Sequence, residues 1–193
     1  MQYAVILGFL VNFWGNYVYL RDTLKGKTKP NRVSHFLWTL SGMIAFFASV
    51  AQGAGWAALP VFVTGSWALI TLLASFWNPQ AYWRTCPLDW VCGALSLGAL
   101  VAWHVTQNAN WALVLAILSD GLAALPTMVK AWTHPYTETP ESYATGAFNA
   151  FTSFLAAKLW TFGELAFPTY YFLSCLLIFS VIMIRRASLK EEA

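Results

Sequence analysis

The chain has 193 residues, 59% of them hydrophobic, 17% aromatic and only 10% charged, with a formal net charge of +3. A soluble domain carries about 25% charged residues, so this surface cannot be covered by charge and must face lipid. The small basic excess sits in short loops between apolar runs, which makes membrane lipids, and not nucleic acid, its natural partner.

Seven apolar segments follow in chain order: Tyr3–Leu20, Val33–Ala54, Trp56–Trp77, Trp90–Val105, Trp111–Val129, Tyr143–Trp160 and Leu165–Ile184. Each is near the ~20 residues that a helix needs to cross a ~30 Å hydrocarbon core. Backbone amides in lipid must be satisfied within the segment, so the spacing predicts helices and an all-α membrane protein. The first segment lacks a basic leading region and a small-residue cleavage site, so it reads as a retained helix. The fourth is the shortest and follows Pro87-Leu88-Asp89.

Tyr17, Tyr19, Trp56, Trp77, Tyr82, Trp83, Trp90, Trp111, Trp132 and Trp160 cluster at segment ends, where amphipathic rings anchor at the headgroup level. Taking alternate sides of the membrane, one side collects Arg21, Lys25, Lys27, Lys29, Arg32, Arg84, Lys130, Arg185, Arg186 and Lys190, and the other only Lys158. This bias predicts an external N-terminus, a cytoplasmic C-terminus and an odd number of spans. Cys86, Cys92 and Cys175 have no metal-ligand spacing, and His35, His104 and His134 are isolated, so neither a metal site nor a cofactor is expected. Lys158 and Glu164 read as a surface pair beside a short loop.

A division into three helices, one helix and three helices suggests itself, with boundaries at 1–78, 79–107 and 108–193. Pro30 and Pro140 lie 110 residues apart, each opening a helix after a polar loop. Leu59-Pro60 and Phe167-Pro168 lie 108 apart, as do Ser66 and Ser174, Leu7 and Leu115, and Asn12 and Asp120. An odd number of intervening helices makes the two copies parallel repeats, an architecture of secondary transporters.

Leu125-Pro126-Thr127 in the latter half of the fifth helix, followed by Lys130 and a polar loop, resembles the proline motif of PQ-loop proteins, which include the SWEET sugar transporters. The 3+1+3 plan with an external N-terminus fits the same resemblance over the whole chain. The first copy departs from it, with Val18 where the proline would align, and Ser66 and Ser174 stand where SWEET proteins carry asparagines. The tryptophan-rich composition is also similar to that of nicotinamide riboside transporters, which share the plan. These resemblances imply a carrier of a sugar-like or vitamin-like solute.

Asp120 lies nine residues beyond Trp111 and ten before Lys130, near the bilayer midplane. A carboxylate there is costly unless it faces the bundle interior or water, so it is a candidate proton carrier, cation site or acceptor for solute hydroxyls. Asn12 holds the matching place on the first helix. The sixth helix carries Thr145, Asn149, Thr152 and Ser153 on one face, and the second carries Ser34, Trp38 and Ser41. The 110-residue offset pairs Trp38 with Phe148 and Thr39 with Asn149, a candidate aromatic clamp for a small flat or hydroxylated molecule. Ser66 and Ser174 complete the candidate binding set, and Pro60, Pro126 and Pro168 are candidate hinges.

No nucleotide-binding glycine loop, zinc-ligand pair or nucleophile elbow is present, and no two catalytic-type side chains share a depth, so no enzymatic activity is expected. The last helix lacks the lysine that a retinal protein needs. The expectation is a bacterial inner-membrane transporter moving a small polar solute by alternating access, proton-coupled if Asp120 changes charge. A non-transporting receptor or scaffold is the alternative, and self-association stays open.

Overall fold

A computed structural model describes residues 2–106 and 108–191, with seven long helices and no strand among them. They are α1 (Gln2–Leu24), α2 (Arg32–Ala51), α3 (Leu59–Trp77), α4 (Pro87–Thr106), α5 (Ala109–Thr133), α6 (Pro140–Ala156) and α7 (Phe162–Glu191). The side chain of His104, expected at the outer end of α4, lies outside the described residues.

Each helix boundary has a local cause. Gly26, at φ 72°, takes the left-handed conformation that closes α1. Asn31 caps α2 by accepting the Val33 and Ser34 amides at 3.0 and 3.2 Å. Pro140 opens α6 at a position where no amide hydrogen is needed. Nothing after Ile184 breaks α7, which runs on through Arg185 and Arg186 for 30 residues in all.

Five helices (α1, α2, α3, α5 and α7) are long and apolar enough to cross a membrane, the signature of an integral membrane protein. At 17 residues, α6 is about 26 Å long, a little short of the hydrocarbon thickness. The outer surface is apolar: Phe47, Leu73, Val105 and Leu173 are each more than half exposed, as are Trp77, Trp90, Trp111 and Trp160.

The helices pack in a defined set of neighbours. α1 lies against α6 and α2 against α5; α2 packs on α3 and α6 on α7; α1 also touches α3, and α5 touches α7. α4 lies on α5, with a smaller contact to α2. Between lipid-facing helices the hydrophobic effect gives little, so close approach and polar links must hold the seams. A Cβ added at Gly42 on α2 would lie 2.9 Å from Gly65 Cα on α3, so the two backbones nearly touch. On the α1–α6 seam, a Cβ at Gly8 would collide with Thr152 Oγ1 and one at Gly15 with Thr145 Oγ1.

Two buried cores occupy opposite ends of the bundle. Ala45, Ala48, Val61, Leu113, Ala116 and Phe167 pack at the end that carries the α2–α3 and α6–α7 loops. Tyr19, Ala124, Ala131, Tyr143, Ile178 and Ile182 pack at the other, which carries the basic loops.

Candidate functional site

Asp120 lies halfway along α5. Left unsatisfied at the midplane, such a side chain costs about 2.5–3.5 kcal/mol on insertion scales. It is buried, at 4% exposure, and each carboxylate oxygen has a donor. Ser41 Oγ on α2 donates to Oδ1 at 2.7 Å, and the Tyr170 hydroxyl on α7 donates to Oδ2 at 2.8 Å. Trp38 Nε1 donates to the Asp120 backbone carbonyl at 3.2 Å. Neither of the ion pairs among the described residues involves Asp120, so it sits in the bundle as an acid without a charged partner.

Beside it, between the two cores, is a cavity of about 60 Å³, enough for a few water molecules. Its walls are aromatic on several sides, from Tyr19, His35, Trp38, Trp67, Tyr143 and Tyr171. The polar part of the lining comes from Asp120, Asn16, Thr64, Thr71, Ser142 and Ser174, with Cys175 beside them. Every long helix except α4 contributes to the lining.

At the basic end the cavity meets a buried polar network. Lys130 Nζ lies 2.5 Å from Glu138 Oε1, the two side chains being 1% and 0% exposed. Glu138 Oε2 accepts the hydroxyls of two cavity-lining residues, Tyr19 at 3.0 Å and Tyr143 at 2.8 Å. Lys130 also donates to the Lys29 carbonyl, the Lys29 amide donates to the Thr137 carbonyl at 3.1 Å, and the Thr28 and Thr139 hydroxyls are hydrogen-bonded. Arg186 on α7 donates to the carbonyls of Pro135 and Glu138 at 3.1 and 2.6 Å. These bonds tie the α1–α2 loop, the α5–α6 loop and α7 together over the cavity floor. Asp89 at the start of α4 extends the tie by accepting Asn31 Nδ2 at 2.5 Å.

The structure brings together some of the residues expected from the sequence and separates others. Asp120, Trp38 and Ser174 line the cavity. Asn12 does not: it is fully buried and accepts from Asn16 Nδ2 at 2.6 Å. Asn149 is also fully buried, and its Nδ2 reaches only the Pro60 carbonyl at 3.5 Å. The amide nitrogen of Asn12 and the amide oxygen of Asn149 both lack a partner among the described residues.

The polar face of α6 does point inward, but Thr145 and Thr152 are taken up against α1 glycines. Phe148 is 38% exposed and stands away from the cavity, so it forms no clamp with Trp38. The reason is register: α2 starts at Arg32 and α6 at Pro140, 108 residues apart, so Pro30 precedes its helix by two residues whereas Pro140 begins its own. Thr39 and Ser66 donate to their own helices, to the His35 and Phe62 carbonyls at 2.8 and 2.9 Å, and neither lines the cavity. Pro60 lies in the first turn of α3, where it costs no helical hydrogen bond, whereas Pro126 and Pro168 lie inside α5 and α7.

Two further acids are buried: Glu164, read from the sequence as a surface partner of Lys158, and Glu138, which the sequence did not single out. Glu164 is 4% exposed and accepts the amides of Lys158, Leu159 and Trp160 at 3.2, 2.8 and 3.0 Å, so it holds the α6–α7 loop together and is no surface partner of Lys158. In doing so it holds Trp160 at φ 52°, a strained conformation for a large side chain. For Glu138 the available signal was the pair of charges Lys130 and Glu138 bracketing a short polar loop. No protein-family model matches the chain, and no curated protein or solved structure matches it.

Proposed function

We propose that the protein is a multi-pass membrane transporter that moves a small polar solute by alternating access, with the cavity beside Asp120 as its binding site. The observation that carries this reading is the partly enclosed cavity of mixed aromatic and polar lining beside Asp120, lying between the Lys130–Glu138 network at one end and the apolar core around Phe167 at the other. A solute held there lies between two packed ends, and release toward either side requires the packing at that end to part. Pro126 and Pro168, each of which removes one helical hydrogen bond, supply the bends.

The packing supports the reading of seven spans as two parallel repeats joined by α4. Exchanging α1–α3 for α5–α7 turns the α1–α6 seam into the α5–α2 seam and leaves the set of neighbours among these six helices unchanged, α4 alone breaking the symmetry by its place on α5 and α2. The same 108-residue offset relates Asn12 to Asp120 and Ser41 to Asn149. The Ser41–Asp120 bond crosses one seam, while Asn12 and Asn149 are buried on the two helices of the other, at the level between the Gly8–Thr152 and Gly15–Thr145 approaches. This is the 3+1+3 plan of PQ-loop and SWEET-like carriers, and we assign the chain to that architecture. Ten of eleven Lys and Arg residues toward one side support an external N-terminus and a cytoplasmic C-terminus, and the membrane we propose is a bacterial inner membrane.

A non-transporting receptor or scaffold is the second reading, favoured by the use of the α6 threonines in packing rather than in the cavity. Flux of a small-solute panel into proteoliposomes, with and without a pH gradient, separates the two. Transport that Asp120→Asn abolishes or uncouples supports the carrier. No flux of any solute through a folded protein supports the receptor.

A further inference from the structure

We propose that the cavity beside Asp120 takes a small organic cation of the ammonium type rather than an anion or an uncharged polyol. The proposal uses the cavity named above as the solute site but does not depend on transport.

Charge is the first ground. The lining holds one carboxylate and neither lysine nor arginine. The basic residue nearest the cavity floor, Lys130, is committed to Glu138 and to the Lys29 carbonyl. Asp120 therefore lacks a counter-charge in a region of low dielectric, and a bound cation would supply one.

The second ground is the donor inventory. An anion needs hydrogen-bond donors and a polyol needs donors and acceptors, but most donors around this cavity are already used internally. The Tyr19 and Tyr143 hydroxyls donate to Glu138, and Tyr170 and Ser41 donate to Asp120. Trp38 donates to the Asp120 carbonyl, and Ser142 donates to Asn16 Oδ1 at 3.0 Å. His35 Nδ1 lies 3.0 Å from the Asn31 carbonyl, which can only accept, so in the neutral ring Nε2 is left as an acceptor. Trp67 Nε1 and the Thr71 hydroxyl stay available as donors, but most of what the lining offers is lone pairs and ring faces.

The third ground is those faces. Trp38, Trp67, Tyr19, Tyr143 and Tyr171 surround a space beside a single acid. Aromatic cages of this composition hold ammonium groups by attraction to the negative ring faces, and the attraction strengthens when water is excluded.

The test is equilibrium binding to the full chain in detergent micelles, read by tryptophan fluorescence, with choline and ethanolamine as cations and 3,3-dimethylbutan-1-ol as the uncharged isostere of choline. The expected result is a preference of about tenfold or more for choline over its isostere, lost in Asp120→Asn. Should Asp120→Asn fail to fold, Trp67→Leu decides, and it is expected to weaken the cations while leaving the weak binding of the isostere unchanged. Equal binding of choline and its isostere, or no binding of either cation to the unaltered chain, overturns the proposal. Binding of choline without flux in proteoliposomes keeps the cation site and removes the transport reading. Flux of ribitol with no preference for cations keeps transport and removes the cation site.

Discussion

Ser41 Oγ on α2 donates to Asp120 Oδ1 on α5 across 2.7 Å, joining a serine to the acid at the centre of the bundle. The same seam carries a second side-chain link, from Thr127 Oγ1 to Ser34 Oγ at 3.2 Å. Polar links of this kind matter more in lipid than their number suggests, because helix association there has little hydrophobic drive.

Removing the donor should therefore be felt in stability. Ser41→Ala leaves a buried carboxylate oxygen short of a partner, and the expected loss is about 1–3 kcal/mol. Thermal unfolding in detergent measures it. An unchanged midpoint would mean that another donor or a water takes the place of Ser41.

The buried ion pair at the basic end should be more sensitive. Glu138→Gln strands the Lys130 ammonium at 1% exposure, and breaking such a pair typically costs about 3–5 kcal/mol. Lys130→Met combined with Glu138→Leu removes both charges and should cost less than the two single changes added together. A thermal-unfolding cycle reads this coupling, and strictly additive losses would show that the two residues act independently.

Backbone proximity sets a ranking among glycines. Gly42→Ala drives a methyl to 2.9 Å from Gly65 Cα, where only helix displacement can relieve it, and should cost about 1–3 kcal/mol. Gly65→Ala meets backbone at 3.3 Å and should cost less. Gly98→Ala on α4 meets nothing within 4 Å and should be stabilising by about 0.5–1 kcal/mol, the helix preference for alanine. The order of the three melting midpoints checks the α2–α3 contact, and a Gly42→Ala variant as stable as Gly98→Ala would contradict it.

The helices were legible in the sequence because apolar runs were bounded by proline and basic residues, and a polar group at mid-span has few places to go. That reasoning put Asp120 inside, and it lies there. It failed for Phe148 because register was taken from two prolines that occupy different helix positions, and an error of two residues moves a side chain around a helix by more than half a turn. It failed for Glu138 because an acid in a polar loop reads as solvated. Only the folded path of the chain brings it against Lys130, Tyr19 and Tyr143. Glu164 was hidden in the same way, since its partners are backbone amides that carry no sequence signal.

Cys175 lines the cavity and serves as a native reporter of access to it once Cys86→Ser and Cys92→Ala remove the other thiols. The measurement is its rate of modification by a membrane-impermeant thiol reagent applied to either face of a sealed vesicle. In the otherwise unaltered chain the rate is expected to be low from both faces. Glu138→Gln, or Tyr19→Phe should the first not fold, is expected to raise it from the basic face alone, and Phe167→Ala from the opposite face alone. Acceleration from both faces by either change, or from neither face by both, would contradict a solute site closed by two separable barriers.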